Sequence, residues 1–379
     1  MITYISMLLA TIILGYFAIR NKKNKRKYCI FSILSSVPFI IVSAIRYDVG
    51  SDFIDRYSQA FTHIAKGGYV STYEYGFYLL NKICCLITHN PQIIFIITSI
   101  AINGSIFYLI FKYSKNPLLS IVIYFIGAYY FESMNIIRQY LGVSILLFAF
   151  PLIKEKKYIK VLILCTIAYF IHNASIVLSL TYILLFIYNK IYPKSYIIKK
   201  CDNAYLVLIG ILIIIILHKY IYYGITFALS IASDKYFAYV GSKYDYSDLQ
   251  ITPLISGIII YIYIYFAKRR MLEGNTKESE KYYDDYFIII QTIDLIFIAM
   301  TSINILFLRI SYMFGIFQIF SIPYYYEKYY KYHKRNILIY ITLFIMFTSF
   351  IWINIVNKVE EALPYQTVFN IKSDGEKNE

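Results

Sequence analysis

The sequence predicts an all-α membrane protein: a helical bundle with about 12 transmembrane helices and one re-entrant segment. Of its 379 residues, 59% are hydrophobic and 19% are aromatic, which is far more apolar than a soluble domain. Apolar runs of roughly 15 to 20 residues recur along the chain, and each is long enough to cross a bilayer as a helix. A transmembrane β-barrel would instead show short alternating segments. We therefore expect a single integral membrane domain over residues 1–379.

The first loop predicts the orientation of this domain. A first helix over residues 3–19 is followed by six positive charges within residues 20–27. The positive-inside rule places such a loop in the cytoplasm, so the N-terminus lies outside. The later basic loops fall on the same cytoplasmic side, which accounts for most of the formal charge of +15. This distribution argues against nucleic acid as a partner.

The remaining segments follow from this orientation. A second helix over 28–45 delivers the chain to the outer face, where 46–91 forms an outer loop. The apolar stretch 77–90 is too short for a span, and we interpret it as a re-entrant or interfacial helix. A full span there would place every later basic loop outside. A second outer loop is predicted over 223–250, and the tail 357–379 is expected to be flexible and outside.

The stretch from Arg46 to Tyr57 carries the first candidate site residues. It combines two arginines, three aspartates and two tyrosines directly after an apolar run. Ionisable groups at a membrane border usually line a cavity or a substrate path. We select Arg46, Tyr47, Asp52 and Tyr57 from it, and Glu74 from the same outer segment. The alternative is an ordinary solvated loop.

A second polar cluster extends from Glu132 to Gly142. If this segment is one helix, Glu132, Asn135, Arg138 and Gln139 share an arc of about 120° with Gly142. An acid, two amides and a base would then line one wall of a cavity. The alternative is an arginine at a helix end that reaches the interface beside a local carboxylate.

Three further positions stand out in the later helices. His172 interrupts two apolar helices at an outer turn, where it is either a base or a turn residue. Arg309, with Tyr312, begins a helix at the outer side, where it either binds a ligand or anchors the helix. Asp294 lies near mid-membrane in a polar stripe, and it is the one feature that favours a transporter.

The chemistry of the outer arginines points to phosphate. Guanidinium groups grip phosphate oxygens in pairs, so outward-facing arginines at the lipid border suit a lipid-linked phosphate or pyrophosphate. No nucleotide-binding, zinc-protease or serine-hydrolase motif appears in a plausible context, and the five cysteines show no metal-ligand spacing. We therefore predict no cofactor and no metal, and the energy for any reaction must lie in the substrate.

Several short motifs carry a family resemblance. They begin at Arg46-Tyr47 with Asp52 and Tyr57, then Tyr73-Glu74, Asn135 with Arg138-Gln139, Lys156-Lys157-Tyr158, His172 with Ser175, Arg309 with Tyr312, and Pro364-Tyr365. In this order and spacing they resemble the EpsG family, which is grouped with Wzy-type polymerases of capsule, O-antigen and exopolysaccharide synthesis. The resemblance covers nearly the whole chain.

The resemblance implies a function, a fold and partners. The protein would be a glycosyltransferase that polymerises undecaprenyl-pyrophosphate-linked oligosaccharides at the outer face of the bacterial cytoplasmic membrane. The fold would be similar to the GT-C class, and a chain-length regulator and a flippase are candidate partners. The alternatives are another lipid-linked glycosyltransferase or O-antigen ligase, and a polysaccharide transporter or flippase.

Roles for the candidate residues follow as hypotheses. Arg46, Arg138 and Arg309 would hold the donor pyrophosphate and stabilise the charge of the leaving group. Asp52, Glu132 or His172 would accept the proton of the attacking hydroxyl. Tyr47, Tyr57 and Tyr312 would stack on sugar rings, and Glu74, Asn135 and Gln139 would bind the substrate.

Overall fold

The computed structural model describes residues 1–191, 204–232, 241, 245–272, 278–332 and 337–369. Regular structure in these ranges is helical, which confirms the all-α prediction. The chain divides into two compact units: unit 1 comprises Met1–Leu180 with Phe350–Glu379, and unit 2 comprises Thr181–Ser349.

Unit 1 contains the first nine helices, the start of the tenth, and the C-terminal segment. Their bounds are α1 Ile2–Arg20, α2 Lys25–Ala44, α3 Gln59–Ala65, α4 Tyr75–Cys85, α5 Gln92–Tyr113, α6 Pro117–Ile126, α7 Tyr129–Asn135, α8 Ile137–Lys154, α9 Tyr158–Ile171 and α10 Ser175–Ile191. Two wider helical turns, Phe53–Ser58 and Ile351–Val356, complete its regular structure.

Unit 2 is built from the remaining helices. Their bounds are α11 Ala204–Ile216, α12 His218–Ala232, α13 Ile251–Leu272, α14 Glu278–Ala299, α15 Leu306–Gly315, α16 Gln318–Tyr332 and α17 Ile337–Phe350.

Length and apolarity identify many of these helices as membrane spans. In the described residues five helices are long enough to cross a bilayer, and three bent helix pairs raise the number to eight. The described residues also contain four shorter apolar helices: Ile137–Ile153, Tyr158–Ile171, Ser175–Ile187 and Tyr286–Ser302. These findings confirm a polytopic helical membrane protein, while the count of 12 spans stays a prediction.

Local sequence explains where several helices begin and end. The Asn24 side chain accepts a hydrogen bond from Lys27 N at 3.1 Å and starts α2, as expected of an asparagine N-cap. Asn116 caps α6 in the same way, with proline at the first helical position. α6 ends at Gly127, and Ala128 adopts a left-handed φ of 66°. α7 therefore leaves at a bend of 55°.

A second break makes the predicted polar arc wrong. α7 ends at Asn135, and Ile136 leaves the helical region with ψ 60° before α8 begins. The 100° spacing on which the arc depends is therefore interrupted between Asn135 and Arg138. Consequently Glu132 and Asn135 belong to one helix, and Arg138 and Gln139 to the next.

The helix ends of unit 1 separate into a basic end and a polar end. At the basic end, Tyr28 near the start of α2 donates a hydrogen bond to the carbonyl of Phe111 near the end of α5, at 2.6 Å. At the opposite end, Gln92 at the start of α5 donates to the carbonyl of Arg46 at 3.2 Å, and Arg46 itself reaches the carbonyl of Met134. The polar clusters predicted to share one side therefore do so within unit 1.

The short apolar stretch after Glu74 forms a helix of 11 residues, α4. Six residues separate α4 from α5, which begins at the polar end. A helix of this length is too short to span a bilayer, and its re-entrant or interfacial placement stays a prediction. Gly76 lets α4 approach α9 closely, because a Cβ there would lie 2.8 Å from the carbonyl oxygen of Phe170.

The C-terminal segment corrects a prediction. Residues 357–369, expected to be a flexible tail, return along the polar end of unit 1, and 370–379 lie outside the described residues. Thr367 pairs with Arg46 in an antiparallel bridge, and Tyr47 N donates to Gln366 O at 3.0 Å. The Tyr365 hydroxyl donates to the carbonyl of Val42 at 2.8 Å. Main-chain hydrogen bonds do not depend on particular side chains, so no sequence pattern predicts this pairing.

The second outer loop also starts later than predicted. α12 occupies His218–Ala232, so the first ten residues of the predicted loop 223–250 are helical. α11 and α12 are separate helices that meet at 75°. Residues 233–240 and 242–244 of this loop lie outside the described residues.

Candidate functional site

Arg46 is the most enclosed charged side chain at the polar end of unit 1. It is 1% exposed and donates to the carbonyl of Met134 at 2.9 Å and to Ser43 Oγ at 3.0 Å. Its guanidinium carbon lies 5.0 Å from the ring of Phe95, which stacks on Phe53. Burial lowers the pKa of Arg46 to about 10, so the side chain still carries its charge at neutral pH.

A turn after Arg46 is held by Asn135 from the end of α7. Ser51 Oγ and Asp52 N each donate to Asn135 Oδ1 at 3.0 Å. Gly50, with φ +97°, forms the turn in a conformation that side chains rarely adopt, and its N–H donates to Glu361 O at 3.2 Å. The Asn135 amide in turn donates to Glu360 Oε2 at 2.7 Å. Asp52 is thereby fixed at its backbone, with its side chain 19% exposed.

The central feature of the polar end is a carboxylate between a guanidinium and an imidazole. Glu74, the residue before α4, accepts from Arg138 Nη1 at 2.8 Å through Oε2. Its other oxygen lies 3.4 Å from His172 Nδ1 and accepts from Asn173 N at 3.3 Å. Arg138 Nη1 also donates to the carbonyl of Thr72 at 2.8 Å. We call Glu74, Arg138 and His172 the carboxylate-bridged cluster.

The neighbours of Glu74 decide the ionisation state of its carboxyl group. Burial alone raises the pKa of Glu74, but His172 and Arg138 outweigh it and hold the pKa at about 2. Glu74 is therefore anionic at any physiological pH. Its side chain is 8% exposed, whereas those of Arg138 and His172 are 17% and 20% exposed. The side chains of Arg138 and His172 therefore remain partly accessible.

Tyrosines connect Asp52 to the carboxylate-bridged cluster. The Arg138 guanidinium lies 5.1 Å from the Tyr73 ring. The charges of both Asp52 and Arg138 act on Tyr57 and Tyr73. Asp52 and Arg138 therefore flank the same pair of rings. Tyr57 is 3% exposed, which fits packing better than the predicted stacking on a sugar.

Among the described residues, two buried guanidinium nitrogens have no acceptor: Nε of Arg46 and Nε of Arg138. A buried donor without a partner costs about 1–3 kcal/mol. An anionic ligand would satisfy such a donor, and both arginines lie at the polar end of unit 1.

A family model describes most of this chain. The model of the EpsG family matches residues 29–367. The chain belongs to the EpsG family. Searches of curated proteins and of solved structures found no match, so the expected likeness to the GT-C class stays an expectation.

Membership of the EpsG family supports a polysaccharide-polymerase type of function and a membrane location. The match includes the turn after Arg46, the carboxylate-bridged cluster and most of the returning C-terminal segment. The three parts of the polar end thus all fall within the region that defines an EpsG member.

Two other predicted site residues of this EpsG member, one on α7 and one on α8, are buried. Glu132 on α7 is 4% exposed and accepts a hydrogen bond from the Tyr140 hydroxyl. Gln139 is also 4% exposed. Tyr47, by contrast, is half-buried and packs edge-on against Phe53 at 5.7 Å. Of these three, Tyr47 keeps the access that substrate contact requires.

The last predicted site residues belong to unit 2. Arg309 is exposed and Tyr312 is half-buried, both on α15. Asp294 is 2% exposed on α14, where Gln291 donates to its Oδ2 at 2.9 Å and Gln318 at 3.3 Å. Amide donors from two helices thus satisfy this carboxylate, as packing inside a helical bundle requires.

The sequence analysis selected neither Glu360 nor Tyr73 as a candidate site residue, although Tyr73 belongs to the Tyr73-Glu74 motif of the family resemblance. Tyr73 directly precedes Glu74, a selected residue, so its position in the sequence could have identified it. Glu360 follows the last helix in what looked like a tail, and its contact with Asn135 spans 225 positions. Only its place on the predicted outer side could have singled it out.

Proposed function

We propose that this protein is a polymerase that joins lipid-pyrophosphate-linked oligosaccharide repeat units at the outer face of the bacterial cytoplasmic membrane. The observation that carries the proposal is the carboxylate-bridged cluster, in which Glu74 holds Arg138 at 2.8 Å and faces His172 at 3.4 Å. Glu74 thus contacts both Arg138, a cation that would bind a phosphate, and His172, a base that would accept a proton from a hydroxyl. Family membership supplies the reaction class.

In this proposal Arg138 binds the donor pyrophosphate. Glu74 and the Thr72 carbonyl occupy Nη1, so the guanidinium is oriented before substrate arrives. Nε is buried and has no acceptor among the described residues, and in this proposal a phosphate oxygen becomes its acceptor. As the bond between the anomeric carbon and the phosphate oxygen breaks, the leaving pyrophosphate takes the electron pair. A fixed guanidinium stabilises that charge without reorganisation.

His172 is the proton acceptor in this scheme. When Nδ1 donates toward Glu74, the lone pair on Nε2 is available to a hydroxyl, as in other base–carboxylate pairs. The hydroxyl oxygen of the acceptor sugar bonds to the anomeric carbon, and its proton passes to Nε2. Asp52, near the same tyrosines, contacts the acceptor sugar through its carboxylate. Arg46, which is enclosed by carbonyls and rings, supports the turn that carries Asp52.

The reaction is tested with purified protein in lipid nanodiscs. A purified lipid-linked repeat unit is supplied, and products are separated by size. We expect a ladder of longer glycans from the native protein and none from His172→Ala at equal protein amount. Transfer of one unit to a different acceptor, without a ladder, would instead identify a ligase.

The orientation is tested by cysteine labelling in intact cells. In a variant with Cys29, Cys84, Cys85, Cys165 and Cys201 replaced by serine, one cysteine is placed at exposed Ser71 near the cluster or at exposed Lys23 at the basic end. A membrane-impermeant maleimide should label Ser71→Cys and spare Lys23→Cys. The reverse pattern would place the site in the cytoplasm.

A further inference from the structure

We propose that Glu360, on the segment after the last helix, is a positioning residue that sets the place of Asp52. The inference rests on the proposed function, in which Asp52 contacts the acceptor sugar. Glu360 acts through one intermediate, the side-chain amide of Asn135. No sequence pattern or family property assigns it this role.

The orientation of the Asn135 amide depends on Glu360. A carboxylate only accepts hydrogen bonds, so Glu360 Oε2 at 2.7 Å must face the amide nitrogen. The amide oxygen then points the opposite way, where Ser51 Oγ and Asp52 N both donate to it at 3.0 Å. A rotated amide would set its oxygen against the carboxylate and lose both donors.

Burial makes this contact strong and specific. Glu360 is 6% exposed and Asn135 is 8% exposed. A hydrogen bond to a charged acceptor is strong at low local dielectric. Burying a carboxylate without hydrogen-bond donors is unfavourable, and the Asn135 amide supplies one such donor.

The segment that carries Glu360 is itself anchored on both sides of the turn. The next residue, Glu361, accepts from Gly50 N at 3.2 Å through its carbonyl. Ala362 accepts from the Tyr4 hydroxyl at 3.0 Å through its carbonyl. Glu360 is therefore delivered to Asn135 by main-chain contacts that a substitution at its side chain leaves in place.

The first test measures the rate of repeat-unit joining by full-length protein in nanodiscs. Glu360→Ala removes the acceptor and should lower the rate roughly 10- to 100-fold, the range expected when a reacting group is misplaced by about 1 Å. Glu360→Gln keeps an oxygen at the same place and should restore most of the rate. The matched control is Glu361→Ala, since that side chain is exposed, and it should retain the native rate.

A double variant separates positioning from a general structural role. In an Asp52→Asn background the further loss from Glu360→Ala should shrink to within about 2-fold, because residues that act as a unit are not additive. A full additional loss would overturn the proposal. So would failure of Glu360→Gln to restore the rate, because the carboxylate would then act through its charge.

A third measurement does not require activity. Hydrogen exchange should accelerate in peptides covering residues 50–58 of Glu360→Ala, because Asp52 N–H loses its fixed acceptor, and should not change in Glu361→Ala. Unchanged exchange in Glu360→Ala would refute the contact chain. If the native protein makes no ladder while exchange responds as expected, the polymerase function fails and the positioning contact stands.

Discussion

Replacing Arg138 by lysine tests the phosphate-binding assignment most directly. Lysine keeps the positive charge, but its three donors radiate from one nitrogen. Arg138 uses Nη1 for Glu74 and Thr72, while Nε, on the other side of the guanidinium, has no acceptor among the described residues. An ammonium that stays with Glu74 and Thr72 has one donor left, and that donor leaves from the same nitrogen instead of from the position of Nε.

The magnitude follows from the lost contact. One hydrogen bond to a charged group is worth about 1.5–3 kcal/mol, and each 1.36 kcal/mol of transition-state stabilisation changes the rate tenfold. If that contact forms fully only as the pyrophosphate leaves, Arg138→Lys should slow repeat-unit joining roughly 10- to 100-fold.

The assay is the nanodisc ladder reaction at matched protein amounts. Arg26→Lys is the matched control, because Arg26 is exposed at the basic end of unit 1 and the same substitution there should leave the rate unchanged. An Arg138→Lys protein that folds normally and joins units at the native rate would refute the reasoning, since a single charge would then suffice.

Three further predictions concern the same end of unit 1. The Glu74 pKa of about 2 lies below its ordinary 4.5, so its contribution to stability is complete above pH 4.5 and is lost as the pH falls toward 2. The unfolding temperature of the native protein should therefore fall more across that window than that of Glu74→Gln. Asn135→Asp sets two buried carboxylates against each other and should lower the unfolding temperature, and adding Glu360→Gln should recover it by supplying an amide donor. Gly76→Ala forces a Cβ within 2.8 Å of the α9 backbone and should lower activity and stability, whereas Gly104→Ala, with nothing within 4 Å, should keep both.

The periodicity argument failed at a definite place. The candidate residues Arg138, Glu74, His172, Asn135 and Asp52 stand out in the sequence because each lies in a polar segment beside an apolar run. The expectation that one helix aligns Asn135 with Arg138 was wrong, since the chain breaks at Ile136. A break of one residue changes the direction of every later side chain, and two consecutive isoleucines give no sign of it.

The sequence by itself determined the membrane environment, the helical class and the separation of a basic end from a polar end. These depend on composition and on charge along the chain, and both act locally on each segment. Only the tertiary structure decided which polar groups meet. Glu74 contacts Arg138 across 64 positions, and Glu360 contacts Asn135 across 225. Such pairs depend on helix packing and on the breaks between helices. The direction in which a helix continues after a break cannot be read from the order of residues along the chain.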